Sequence, residues 1–384
     1  MPGHVEKRGK YYLIVIDLGR DANGERIRKF HKTDMTRKTD AERLMLQILS
    51  EVETGLYVEP NKITVTEFLR KWIEEYAKKK LAIRTYTCYE QIFELHVIPY
   101  LGHLLLNKLK PLHLEKYYNE MLESGRLDKK AGGLSPNSVL KHHRILHKAL
   151  KTAVRWELIN HNPADNAEAP KKVEPEMSYY EPDQAIAMLE AAEKTDHYAE
   201  LVMAVYSGAR RGEIYGLRWE DIDWKDRLLK IRQTIQYTPA EGIYFKEPKS
   251  KKGKRDIEVP AIVTDVLKEH KVSQNKKKLA LGGEFVENDL VFCQDNGQPM
   301  HPDTISSWFP EFLVTNKLPR IRFHDLRHTY ISILINSNIP DNEIAARAGH
   351  ADPSTPKRLY GHSFKRVKTE ATSAVENALQ RKKL

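Results

Sequence analysis

RFHDLRHTYIS (322–332) carries two imidazoles and a guanidinium at helical spacing. In a helix, His324, Arg327 and His328 fall at i, i+3 and i+4 and share one face. Three readings compete for that face. His324 and His328 could ligate zinc, but the metalloprotease pattern needs Glu directly after the first His. Asp325 stands there instead, with no cluster of acidic ligands to help. An Arg paired with Asp325 would be purely structural. The third reading sets the planar fork of Arg327 against an anionic oxygen, with His324 hydrogen-bonding beside it.

Two more stretches in the same part of the chain have this character: YSGARRGEIYGLRWEDID (206–223) and AGHADPSTPKRLYGH (348–362). In the first, Gly208 and Gly212 flank Arg210, and glycine lets backbone approach a ligand closely. Arg210 and Arg211 stand where a helix is expected to begin, and free N–H groups there favour anions. Glu213 could pair with one of these arginines and hold it still. In the last stretch Tyr360 follows His350 by ten positions. A tyrosine in a polar loop ordinarily packs half-buried, so Tyr360 acquires a chemical reading only from its company.

Together the three stretches resemble the tyrosine recombinase family, also called the phage integrases. Its first box, G-x-R-x-G/S-E, is matched by Gly208, Arg210, Gly212 and Glu213. Its second, H-x-L-R-H, is matched by His324, Leu326, Arg327 and His328. Its L-G-H is matched by Ala348-Gly349-His350, with Ala in place of Leu, and its nucleophile by Tyr360, followed by His362. The family also places a catalytic Lys in a hairpin between the two boxes. In EPKSKKGKRDIEVP (247–260) the nearest match is Pro248-Lys249-Ser250, which points to Lys249; a shifted register would make it Lys252.

The resemblance implies strand cleavage and rejoining in double-stranded DNA through a 3′-phosphotyrosyl bond to Tyr360. Arg210 and Arg327 would stabilise the phosphate. Lys249 would protonate the 5′ leaving oxygen, His324 would act in proton transfer, and His350 would bond a non-bridging oxygen. The chemistry suits these groups. A phenol is a poor nucleophile at neutral pH, its pKa being near ~10, and two guanidiniums would favour the phenolate and lower the barrier. The covalent link stores the phosphoester energy, so rejoining needs no ATP, and no Walker-type loop is present. No cofactor and no metal are expected. A homotetramer on attachment-site DNA, aided by DNA-bending accessory proteins, is implied, with integration or excision of a prophage or mobile element as the outcome. Two rivals stay open: a type IB topoisomerase that relaxes supercoils by the same chemistry, and a non-catalytic DNA-binding relative.

The bulk properties agree with a nucleic-acid enzyme without selecting one. The chain has 384 residues, enough for two or three domains, and 40% are hydrophobic, enough for ordinary cores. Lys and Arg number 63 against 53 Asp and Glu, a net charge of +10 that favours a polyanionic partner but does not separate DNA from RNA or an anionic membrane. Two distant cysteines, Cys88 and Cys293, exclude a disulfide framework. The opening MPGHVEKRGK lacks a signal peptide's apolar core and no run is long enough to span a bilayer, so a bacterial cytoplasm is the expected compartment.

Along the chain, three domains are expected. Residues 1–57 read as strands over Tyr11–Leu18 and Ile27–Lys32, an Asn23-Gly24 turn, and a helix over Thr39–Glu53. Basic side chains crowd this segment, which is either a solvated sheet face or, as the resemblance implies, an arm-type DNA-binding module. Residues 63–168 read as helical: a stripe of Val65, Phe68, Leu69, Trp72, Ile73 and Tyr76, then helices over Ile83–Ile98, Leu112–Ser124 and Ser135–Trp156. By resemblance this is a SAM-like core-binding domain. Lysines and arginines on its helices, together with His142, His143 and His147, could face phosphates. NPADNAEAPKKVEPE (162–176) reads as a linker, as does GLYVEPNK (55–62).

Residues 177–384 read as a mixed α+β, mainly helical domain, catalytic by resemblance. Helices are expected over Pro182–Lys194 and Ala199–Tyr206, and strands over Leu228–Tyr237, Gly242–Lys246 and Arg255–Val259. A last helix is expected over Lys368–Leu384, with Ala371, Val375, Ala378 and Leu379 on one stripe. That stripe either packs on its own domain or, as often in the family, docks on a neighbouring subunit.

Overall fold

The computed structural model describes residues 3–20, 24–53, 62–128, 130–174, 177–248 and 253–349. The chain divides into two compact units, Met1–Glu174 and Pro175–Leu384.

The first unit opens with a three-stranded antiparallel sheet, Gly3–Arg8, Tyr11–Arg20 and Arg26–Lys32, in that order. Ile14 and Ile16, two apart on the central strand, point to one face and bury against Ala41 and Ile48 of the helix Lys38–Glu53. The strand Gly3–Arg8 was not legible, because a polar edge strand lacks apolar alternation. It joins its neighbour through a two-residue turn in which Gly9 takes φ +65°. The Asn23 half of the expected Asn23-Gly24 turn lies outside the described residues.

The helical part of this unit has its own core. Thr64 and Glu67 form a reciprocal capping box at the start of Val65–Trp72. That helix runs on through a π-helical turn, Ile73–Ala77, to Lys80, and Ile83–Ile92 continues likewise through Phe93–Val97 to Leu101. Pro111–Ser124 and Pro136–Arg155 complete the packing, with Ser135 accepting from the Ser138 N–H at 3.2 Å. Phe68, Trp72, Phe93, Tyr117 and Leu146 lie at the centre.

Two expectations are corrected here. His142 is not a phosphate-facing residue: it is buried, with its Nδ1 2.8 Å from the Tyr117 hydroxyl, because its helix turns that side to the core. The segment from Asn162 is not yet linker. Asn162 caps a 3₁₀ turn, Pro163–Asp165, and Ala164 and Ala167 join the helical core.

Among the described residues of the second unit, helices Pro182–Ala192, Tyr198–Ser207, Ala261–Leu281, Thr304–Thr315, Asp325–Asn336 and Asp341–Ala348 accompany two small antiparallel sheets. The expected strand Leu228–Tyr237 is two strands in different sheets. Leu228–Ile231 lies between Ile222–Asp223 and Arg255–Glu258, whereas Thr234–Thr238 pairs with Gly242–Lys246. The break falls at Arg232 and Gln233. Their side chains bond the Arg255 carbonyl, Asp256 and the Gly216 carbonyl, and so turn the chain from one sheet to the next. The expected helix Lys368–Leu384 lies outside the described residues. Among the described residues no helix is long and apolar enough to cross a membrane.

Candidate active site

The first expected box sits where one helix stops and another starts. Tyr198–Ser207 ends at Gly208, which takes the left-handed conformation (φ 60°, ψ 17°) as a C-cap. Only glycine fits, since a Cβ there would come within 2.2 Å of the Tyr330 ring. Ala209 is buried, and Arg210 then stands at the N-cap of the short helix Arg211–Ile214. Glu213 reaches back: its Oε2 accepts the Arg210 N–H at 2.9 Å and its Oε1 accepts Arg210 Nη1 at 2.8 Å. The Arg210 side chain remains 39% exposed.

The second box begins at the helix Asp325–Asn336, with His324 at its N-cap. Asp325 does pair with an arginine, but with Arg322 and not Arg327. Its carboxylate accepts the Arg322 N–H and the guanidinium, both at 2.8 Å. Arg327 is left to point inward and is only 4% exposed. It donates to the Gly208 carbonyl at 2.7 Å and to the Ala348 carbonyl. Each such charge-assisted bond contributes roughly 1.5–3 kcal/mol.

His324 and His328 lie edge to face, ring centroids 5.5 Å apart. Partial burial, then the charges of His328 and Arg327, push the His324 imidazole below its ordinary pKa, so it is neutral at physiological pH. Among the described residues no group of three or more His, Cys, Asp or Glu stands where it could hold a metal ion.

The third element is the end of Asp341–Ala348, capped by Gly349 in the left-handed conformation (φ 65°). A helix C-terminus leaves carbonyls unpaired and carries partial negative charge. Here three successive carbonyls are taken by three arginines: Arg347 O by Arg255 Nε at 2.7 Å, Ala348 O by Arg327, and Gly349 O by Arg210 Nη2 at 3.0 Å. Arg210, Arg255 and Arg327 are therefore gathered on the carbonyls of residues 347–349, directly before His350 in the sequence. Lys249, Lys252, His350 and Tyr360 lie outside the described residues.

Arg255 was missed by sequence reasoning. Its Nη2 and Nη1 bond the two oxygens of Glu213 at 2.8 and 3.1 Å, and its side chain is 7% exposed. Burial alone would raise the Glu213 pKa, but the Arg255 bonds and the charges of Arg255 and Arg210 outweigh it and hold the carboxyl at about 2. A signal did exist. In a strand, Arg255 shares a face with the apolar Ile257, so it had to point inward.

Over residues 179–366 the chain matches the phage integrase family, and over residues 64–122 the N-terminal SAM-like domain of phage integrases. The chain belongs to the tyrosine recombinase family. It is a site-specific DNA recombinase. Among its relatives, a XerC-like tyrosine recombinase of Caldanaerobacter subterraneus subsp. tengcongensis is 26% identical, with 97% of each chain covered. An integrase of Streptomyces ambofaciens is 25% identical over 95% of this chain and 92% of that one. The fold of the recombinase is shared with the Tn1549 transposon integrase, solved in complex with transposon right end DNA. That structure has a TM-score of 0.68 at 21% identity and covers 81% of this chain and 99% of that one. A lambda integrase dimer bound to a COC′ core site gives a TM-score of 0.57 at 18% identity, over 92% and 93% of the two chains.

Proposed function

We propose that this recombinase integrates and excises a mobile element or prophage by breaking double-stranded DNA at its attachment sites. Tyr360 attacks a backbone phosphorus, forms a 3′-phosphotyrosyl bond and frees a 5′-hydroxyl. Arg210 and Arg327 hold the non-bridging oxygens and offset the charge that builds on them. His324 acts in proton transfer as the attack proceeds. Lys249 protonates the departing 5′ oxygen, and His350 bonds a non-bridging oxygen. Attack by a 5′-hydroxyl from another strand then reverses the chemistry on a new partner, with no external energy source.

One observation carries this reading. Arg210 and Arg327 donate to the carbonyls of Gly349 and Ala348, so both cations flank the turn directly before His350, ten residues ahead of Tyr360. The relatives support the biological setting, since an integrase of the element ICEBs1 in Bacillus subtilis is 24% identical over 75% of this chain. In the same reading, residues 1–57 bind arm-type DNA, residues 63–168 bind the core site, residues 177–384 carry the chemistry, and four copies assemble on paired sites with DNA-bending proteins alongside. The work is done on DNA in the bacterial cytoplasm.

A nicked suicide duplex spanning the junction of the element that carries this gene tests it. The wild-type chain should appear on a denaturing gel as a covalent DNA adduct, and Tyr360→Phe should bind the same duplex without one. An undiminished adduct in Tyr360→Phe would remove that residue from its role.

A further inference from the structure

We propose that Arg255 is a positioning residue of the recombination site, which shares the Glu213 carboxylate with Arg210 so that Arg210 keeps its positive charge for the phosphate. The inference rests on the catalytic role given above to Arg210.

Glu213 fixes Arg210 at two points, backbone and guanidinium. A buried carboxylate bound to Arg210 alone would form a neutral pair, and a neutral pair attracts a phosphate weakly. The bidentate grip of Arg255 on the same carboxylate changes that balance. Two guanidiniums and one carboxylate leave one net positive charge. Only one of the cations, Arg210, has a substantially exposed side chain, 39% against 7% for Arg255. The excess charge is therefore directed to the open side of the cluster.

Arg255 also ties the cluster to the chain. Its Nε holds the Arg347 carbonyl at 2.7 Å, and its Nη1 reaches the carbonyl of Gly253 at 3.3 Å. The same guanidinium packs on Gly349, where a Cβ would meet it at 2.9 Å. It thus joins three pieces: the strand that follows the lysine-rich stretch, the helix that carries Glu213, and the turn before His350. An ammonium group could supply the charge, but not the planar fork and the third donor together.

The test is single-turnover cleavage of the nicked junction duplex at saturating protein, with binding followed by gel shift. Wild type and Tyr360→Phe serve as controls, and wild type without an adduct would sink the catalytic reading before Arg255 is judged. Arg255→Gln should bind the duplex normally and cleave it roughly 10- to 100-fold more slowly, the range seen when a group that orients a reactive centre is lost. Adding Glu213→Gln removes the uncompensated carboxylate, so the double variant should cleave at least several-fold faster than Arg255→Gln alone. A merely structural Arg255 would make the double variant the slower one, and that result overturns the proposal, as does Arg255→Gln cleaving at the wild-type rate. Should Arg255→Gln not fold, Arg255→Lys keeps the charge and decides the matter. It should stay within about tenfold of wild type, and a correctly bound but inactive Arg255→Lys refutes the charge-sharing role.

Discussion

Arg327, 4% exposed, donates to the carbonyl of Ala348, and with its other amino group it donates to that of Gly208. One side chain thereby pins the end of one helix to the end of another. Under the proposed mechanism the cation is held in place before any DNA arrives, so little reorganisation is left for the moment of reaction. Arg327→Ala should lower the cleavage rate by about 10²- to 10³-fold while DNA affinity changes little. It should also lower stability by roughly 2–4 kcal/mol, since two buried carbonyls lose their donor. Arg327→Lys should rescue neither, because one ammonium on a flexible stem does not reproduce a fork. Single-turnover rates and urea titrations check both parts.

Gly208 and Gly349 both lie at positive φ, but a methyl group would meet different obstacles. At Gly208 it strikes the buried Tyr330 ring at 2.2 Å; at Gly349 it meets the Arg255 guanidinium at 2.9 Å. Gly208→Ala is expected to cost about 3–5 kcal/mol, strain and overpacking combined. Gly349→Ala is expected to cost about 1–2 kcal/mol. Thermal melts should rank the two in that order, and the reverse ranking would contradict the packing described.

His142 sets a pH dependence of stability that has nothing to do with catalysis. Burial first, then the charges of His96 and Lys141, lower its pKa to about 4. The unfolded imidazole titrates near ~6.5. Between these values the unfolded chain binds more protons than the folded one, so stability falls as pH drops from about 6.5 towards 4, and is fully present above that window. The loss is on the order of 3 kcal/mol. Urea unfolding at pH 7 and pH 5 should show most of it, and His142→Gln should shrink the difference, the remainder coming from His96, His143, His324 and His328, whose pKa values burial also lowers. Glu213 does not interfere, because its depressed pKa matters only below its unfolded value of about 4.3.

The identity of the general acid is open to a chemical test. Lys249→Ala should cleave an ordinary duplex poorly and recover on a duplex with a 5′-thio leaving group, which needs no proton. Recovery in Lys252→Ala instead, with none in Lys249→Ala, would move the role three residues along the chain.

The spacing within the two boxes was readable because it is local. A glycine at a helix end, a guanidinium two residues on and a carboxylate three beyond that form one short turn, and sequence spacing fixes their geometry. The same holds for His324 and Arg327, three positions apart on one helical face. The small sheets were less readable. Leu228–Tyr237 has continuous β-forming residues, and only the bonds of Arg232 and Gln233 to distant partners divide it. The polar edge strand Gly3–Arg8 is defined by what it pairs with, not by its own pattern.

By itself, the sequence determined which groups are available for chemistry and the helical character of most of the chain. These depend on backbone sterics and on spacing within a few residues. Tertiary structure alone decided that Arg322 rather than Arg327 satisfies Asp325, that His142 faces inward, and that Arg210, Arg255 and Arg327 converge on three successive carbonyls. Such partnerships join residues far apart along the chain, and only the packing of the core says which of several equally charged side chains arrives first.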